Sequence, residues 1–293
     1  SKSFEGSIKS DYFFSKSGCL MSNDLFSLIP FALVISLSGF ISGFIAGLLG
    51  VGGGIIIVPV LYHFLSLIGV PQEVVMHISV ATSLAVIIPT GWRSYKSHQK
   101  NDNIEYSVLK SWLFPTIFGS IVGAIIAGSI SGFWLTFIFA FIAFFVSVNL
   151  FFNKQDFKLG NDIPKGFFGS FIPFLVGSLS SMLGIGGGTF NVSLMTLFGK
   201  TIHKAVGTAS GLGFYLAIPG TIFFIITGWN NENLPLGSLG YVNVIGLFLI
   251  APISSYAAPI GAKSANKLDN KILTNIFAVF LLITSARMFL EIF

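Results

Sequence analysis

Charge is what this sequence has least of. Of its 293 residues, 9% are charged and 53% are hydrophobic, whereas a soluble domain carries roughly 25% charged residues. A soluble fold of this length still needs a polar shell, and there is too little charge here to make one. No acidic residue lies well inside any apolar run, so a buried carboxylate relay is excluded. Cysteine is nearly absent too. Cys19 stands alone, which rules out an intrachain disulfide and a multi-thiolate metal site. No histidine pair has metal-ligand spacing, and no Ser/His/Asp order suggests a hydrolase. No metal, no cofactor and no enzymatic activity are therefore expected. The formal net charge of +5 is spread over short loops without aromatic interleaving. That suits a membrane surface and gives no nucleic-acid patch.

What is abundant is apolar sequence in long runs. Residues 26–50 and 111–131 are long enough to cross a bilayer, which takes about 20 helical residues. Apolar runs bounded by polar, Gly or Pro breaks give ten segments: about 25–49, 55–69, 75–95, 107–129, 132–152, 166–184, 189–199, 204–228, 237–259 and 271–292. The 33 phenylalanines fit lipid-facing positions, where any large apolar side chain serves. Residues 1–22 are polar and mixed in charge, and are expected to form a flexible tail.

The chain repeats itself. Residues 43–60 read GFIAGLLGVGGGIIIVPV and residues 177–194 read GSLSSMLGIGGGTFNVSL. Gly50, Gly52, Gly53 and Gly54 fall on Gly184, Gly186, Gly187 and Gly188. Further on, Ala81-Thr82-Ser83 meets Thr208-Ala209-Ser210, Ile88-Pro89 meets Ile218-Pro219, and Pro115 meets Pro252. The expected organisation is a first transmembrane repeat over 23–152, a cytoplasmic linker over 153–165 and a second repeat over 166–293.

Loop charge relates the halves. With every segment crossing, directly or as a pair, one face collects Arg93, Lys96, Lys100 and Lys110; Lys154, Lys158 and Lys165; Lys200 and Lys204; and Lys263, Lys267 and Lys271. The interior loops of the other face hold Glu73 and Glu232 and no basic residue. By the positive-inside rule both termini lie outside the cytoplasm. Each half then has an odd number of crossings, so the halves are inverted. The predicted fold is an all-α polytopic membrane protein of two inverted repeats, about five helical segments each, with glycine-broken helices at the centre. Inverted repeats with a site at their interface recur in transporters.

Four glycines in a five-residue window break a helix, since each costs about 1 kcal/mol relative to alanine. In lipid such a break survives only where it is buried in protein or lines a wet cavity. A new helix begins after each break, near Ile55 and Thr189. Its first N–H groups lack partners and carry the positive end of the dipole. Two inverted copies aim two such ends at one point, a geometry that favours an anion. Close helix packing through small residues is the competing explanation. The copies differ: Ile55, Ile56 and Ile57 follow the first break, and Thr189, Asn191 and Ser193 the second. Thr189 and Asn191 either donate to an anion or cap a helix. Thr82, Ser83, Thr208 and Ser210 either line the site or bond back to helical carbonyls. His77 and His203 are interfacial histidines or proton carriers.

The paired motifs LLGVGGGIIIVPVL and SMLGIGGGTFNVSL, with the Thr/Ser clusters that follow them, resemble the TauE/SafE sulfite-exporter family from about Phe26 to Phe293. The resemblance implies secondary export or uptake of small anions, sulfite, sulfonates and some organic acids among them, and leaves the particular substrate open. The expected function is a secondary transporter moving a small sulfur-containing anion, sulfite or an organosulfonate, across a bacterial inner membrane by alternating access. A small carboxylate as substrate, a passive anion channel, a membrane enzyme and an assembly subunit are the alternatives. The expected substrate-binding residues are Gly50, Gly52, Gly53, Gly54, Thr82, Ser83, Gly184, Gly186, Gly187, Gly188, Thr189, Asn191, Thr208 and Ser210. The expected partners are the small anion, the lipid bilayer and a coupling ion, proton or sodium. Oligomeric state stays open.

Overall fold

The computed structural model describes residues 33–34, 36–50, 53–152, 160, 163–164, 166–264 and 270–292. The tail expected at 1–22, Gly52 of the first motif and most of the linker expected at 153–165 lie outside the described residues.

Among the described residues the chain forms α1 (Ser36–Leu49), α2 (Gly54–Leu67), α3 (Gln72–Lys100), α4 (Tyr106–Ser129) and α5 (Gly132–Phe152). Then follow α6 (Phe167–Leu183), α7 (Gly188–Leu197), α8 (Ile202–Gly228), α9 (Val244–Ser264) and α10 (Asn270–Ile292). A two-residue hairpin, β1 (Ser238–Leu239) with β2 (Val242–Asn243), precedes α9. Each expected segment falls on one helix, and within the described residues three ends differ by five residues or more: the end of α3 and both ends of α9, which runs on to Ser264. α3 runs on to Lys100 because its last turn is polar yet helical: Lys96 Nζ bonds Gln99 Oε1 at 3.3 Å and stacks over Trp92. α9 starts at Val244 instead of near 237. Gly237 and Gly240 adopt positive φ there and fold the apolar Tyr241 and Val242 into the hairpin.

Five helices, α3, α4, α5, α8 and α9, are long and apolar enough to cross a membrane, and α1, α2 and α6 are shorter apolar helices. α2 has 14 residues and α7 has 10, so at 1.5 Å per residue they reach about 21 and 15 Å. Both fall short of the roughly 30 Å hydrocarbon core. The chain is thus a multi-pass, all-α membrane protein whose short helices sit at the glycine breaks.

α3 is its axis. Its apolar stretch is 89% buried, against 39% for α4 and α5 and 44% for α9. The outer helices turn phenylalanine outward: Phe114, Phe118, Phe145, Phe167 and Phe248 are all exposed. Lipid tails are as apolar as these side chains, so association relies on close packing and hydrogen bonds, with small residues at the contacts. Gly119 and Gly123 of α4 lie against the backbone of Phe174 and Ser178 of α6. Gly43 and Gly47 of α1 lie against Ser254 and Ala258 of α9 in the same way. α3 and α8 run antiparallel, with Gly91 facing Phe214, Tyr95 facing Gly211 and His98 facing Gly207. α5 and α10 do likewise. Ser147 Oγ donates to Ala278 O at 2.7 Å while Phe137 packs on Phe289.

Candidate functional site

The two glycine breaks have matching backbones. Gly50 closes α1 at φ 66° and Gly184 closes α6 at φ 67°. Gly53 precedes α2 at φ 75° and Gly187 precedes α7 at φ 74°. These are left-handed conformations that cost an L side chain about 1–2 kcal/mol, so glycine is the residue that reverses the chain twice within four positions. Gly186 is also left-handed, at φ 75°. Gly54 and Gly188 are the first residues of the new helices and are buried.

The breaks touch. A Cβ on Gly54 would overlap the carbonyl oxygen of Gly184 and sit 2.8 Å from Ser83 Oγ. Ser83 Oγ donates to that same carbonyl at 2.8 Å. Gly184 in turn lies against Val80, and Gly50 against Val206. Each break is therefore packed on the other half's long helix, α8 for the first and α3 for the second.

Most of the expected hydroxyls are committed to backbone partners. Thr82 Oγ1 accepts the Asn243 N–H at 2.9 Å, just ahead of α9. Thr208 Oγ1 accepts the Glu105 N–H at 2.8 Å, just ahead of α4, and donates to Lys204 O at 2.7 Å. Ser210 Oγ donates to Gly207 O at 2.7 Å. Removing a buried acceptor strands its donor, at about 1–3 kcal/mol. Thr82→Val should lower thermal stability by that order and leave anion affinity unchanged, as read by melting curves with and without anion.

The second break is different. Asn191, on the first turn of α7, is fully buried, and among the described residues neither its Oδ1 nor its Nδ2 has a hydrogen-bond partner. The same holds for Ser180 Oγ, Ser181 Oγ and Thr189 Oγ1. Asn191 Nδ2 and Ser180 Oγ lie 3.0 and 3.2 Å from the place a Gly187 Cβ would take, beside Leu216 of α8. Ser181 Oγ faces Gly220, next to Ser120 of α4, whose own hydroxyl donates to Leu216 O at 2.7 Å. α6 and α7 thus bring the Asn191 amide and the Ser180 hydroxyl together at the N-terminal end of α7, against Leu216 of α8, while Ser181 faces Gly220 of α8.

The first break carries no such cluster. In the register that places Gly50 on Gly184, Ala46 stands for Ser180, Gly47 for Ser181 and Ile57 for Asn191. Ala46 Cβ approaches Gly53, and Ser42 Oγ donates to Gly53 O at 2.8 Å. Ser180 and Ser181 are not among the residues expected from the sequence. Their signal was the SLSSMLG stretch, where two hydroxyls replace the Ala46-Gly47 pair of the first copy.

Arranged this way, the second break can donate several hydrogen bonds to one small ligand without a charged side chain. Among the described residues there is no group of three His, Cys, Asp or Glu side chains able to hold a metal ion.

Comparison with known proteins agrees with the architecture. Residues 35–288 match the family described as "Sulfite exporter TauE/SafE". A "Probable membrane transporter protein" of Haemophilus influenzae is 32% identical over 264 residues, covering 90% of this chain and all of that one. "Probable membrane transporter protein YunE" of Bacillus subtilis is 24% identical over 282 residues, 88% of this chain and 97% of that one. A "Probable membrane transporter protein" of Methanocaldococcus jannaschii is 24% identical over 250 residues, 83% and 89% of the two chains. No solved structure matches. With ten helices over the described residues, glycine breaks packed at its centre and a family match across most of its length, this chain belongs to the sulfite exporter TauE/SafE family of membrane transport proteins.

Proposed function

We propose that the chain is a secondary transporter that moves a small sulfur-containing anion, sulfite or an organosulfonate, by alternating access. The observation that carries this is the fully buried Asn191 amide, unpaired within the described residues and close to Ser180 Oγ at the start of α7. Each buried polar group left unpaired costs about 1–3 kcal/mol. An oxyanion repays that cost by accepting from Asn191 Nδ2, Ser180 Oγ and the first N–H groups of α7. The helix dipole favours negative charge at the same point. No lysine or arginine is needed there, which fits a chain with so little charge in its apolar runs. Membership of a sulfite exporter family favours sulfur oxyanions over other small anions.

Inversion of the halves belongs to this reading. Corresponding helices run antiparallel, α3 with α8 and α5 with α10. The caps are exchanged as well: Thr82 holds the strand end before α9, and Thr208 holds the chain before α4. Both patterns are what a two-fold axis in the membrane plane produces. Loop charge supports a topology with both termini outside the cytoplasm.

Flux of sulfite and a short alkyl sulfonate into proteoliposomes tests the function. A carrier saturates with concentration, and Asn191→Leu raises the half-saturating concentration by roughly 10- to 150-fold. Flux that stays linear with concentration makes the protein a channel. Saturable transport confined to short carboxylates moves the substrate class, and no flux of any anion overturns the proposal.

A further inference from the structure

At the end of α3 far from His98, Tyr62, Gln72, Glu73, His77, Tyr241 and Glu291 help to line a cavity of about 540 Å³. His77 is 3% exposed. Its Nδ1 lies 3.1 Å from Glu73 O and its Nε2 lies 3.1 Å from Ile130 O. Both neighbours are carbonyl oxygens, which only accept. A neutral imidazole carries one N–H, so one contact would then set lone pair against lone pair; the imidazolium donates at both. The ring also stacks on Tyr241, with centroids 4.8 Å apart at 23°, and an aromatic face attracts a cation. The titratable groups around it are Glu73 on its own helix, Tyr62 on α2, Tyr241 on the hairpin and Glu291 on α10. Glu291 also pairs with His63 at 3.3 Å and Arg287 at 3.9 Å. Among the described residues no lysine or arginine lines the cavity.

His98 shows what a neutral histidine site looks like in this protein. Its Nε2 lies 2.8 Å from Gly47 O, and its Nδ1 has no partner among the described residues. One N–H satisfies that geometry. His77 needs two.

We infer that His77 is a proton-binding site and that the proton it takes is the coupling ion of transport. The role in coupling rests on the transporter reading; the binding of the proton does not. Protonated, His77 ties the first turn of α3 to Ile130, the residue that ends α4, and lies on Tyr241 of the hairpin that leads into α9. It therefore joins elements of both halves at the end of the molecule that carries the acidic loops. Loss of the proton frees one of the two carbonyls and loosens that junction, the event an outer gate requires.

Two measurements test this. The first is ¹⁵N spectroscopy of the histidine rings in lipid nanodiscs between about pH 5 and 8, the range in which histidine changes charge. His77→Gln assigns the signal by its loss. Should that variant not fold, Gln replacements of the other three histidines assign it by elimination. The expected result is a ring doubly protonated at the acid end and singly protonated at the alkaline end; one charge state throughout overturns the proposal. The second is accumulation of a short alkyl sulfonate, whose own charge is constant over this range. A pH difference of about one unit sustains a roughly tenfold gradient per coupled proton. His77→Gln should cut that ratio to about one while leaving downhill flux. An unchanged ratio in the variant overturns the coupling role. If His77 titrates but no sulfonate moves in the wild type, the proton site stands and the substrate reading falls.

Discussion

Gly54→Ala is expected to cost about 3 kcal/mol of stability, from overpacking at a site with no room to relax. The added methyl would enter the carbonyl oxygen of Gly184, with Ser83 Oγ 2.8 Å away. The Gly184 carbonyl is backbone and has no rotamer to give way. Gly184 is pinned by the Ser83 hydrogen bond and by Val80 behind it, so α2 and α6 must move apart as bodies. Gly54 has an ordinary helical conformation, so strain in φ plays no part. Gly69 gives the opposite case, with φ 82° and nothing within 4 Å of its would-be Cβ. Gly69→Ala should therefore cost only the left-handed penalty of about 1–2 kcal/mol. Melting temperature and the yield of monodisperse protein in detergent separate the two. Equal, small losses at both positions contradict the contact between the breaks.

Asn191→Leu is expected to move stability and function in opposite directions. The amide is buried and unpaired within the described residues, so replacing it by an apolar side chain of similar size removes a desolvation cost and should stabilise the ligand-free protein by about 1–2 kcal/mol. The same change deletes a donor to the anion. A hydrogen bond to a charged group contributes about 1.5–3 kcal/mol, equivalent to roughly a 10- to 150-fold loss of affinity. Functional sites are where such a trade between stability and activity is expected. A destabilised Asn191→Leu protein with unchanged affinity would make the amide a packing residue.

The helices are legible in the sequence because lipid allows few alternatives to a helix and demands long apolar runs. Breaks in the apolar pattern mark most of the junctions. The start of α9 escapes, since Tyr241 and Val242 are as apolar as the helix they precede and only Gly237 and Gly240 hint at the hairpin. The site is legible in part. Four glycines per motif announce a break, and the contact between Gly54 and Gly184 follows from small residues at a crossing. The partners of Thr82 and Thr208 are 161 and 103 residues away, and no local pattern reveals a backbone N–H at that distance. Thr and Ser read the same in sequence whether they face a ligand or hold a strand end. Ser180 and Ser181 became visible only once α8 and α4 were seen to close over them. His77 is the converse case. In sequence it is one histidine near a helix start, and its two carbonyl neighbours exist only in the fold.

The most direct test of the anion site is a thermal-shift series on the wild-type protein with sulfite, alkyl sulfonates, sulfate and short carboxylates. A ligand at a hundred times its Kd stabilises by about 2.7 kcal/mol, which raises the melting temperature of a protein this size by roughly 5 °C or more. The account predicts such a rise, saturating with concentration, for sulfite or a sulfonate, and its loss in Asn191→Leu. A folded protein that none of these anions stabilises contradicts it.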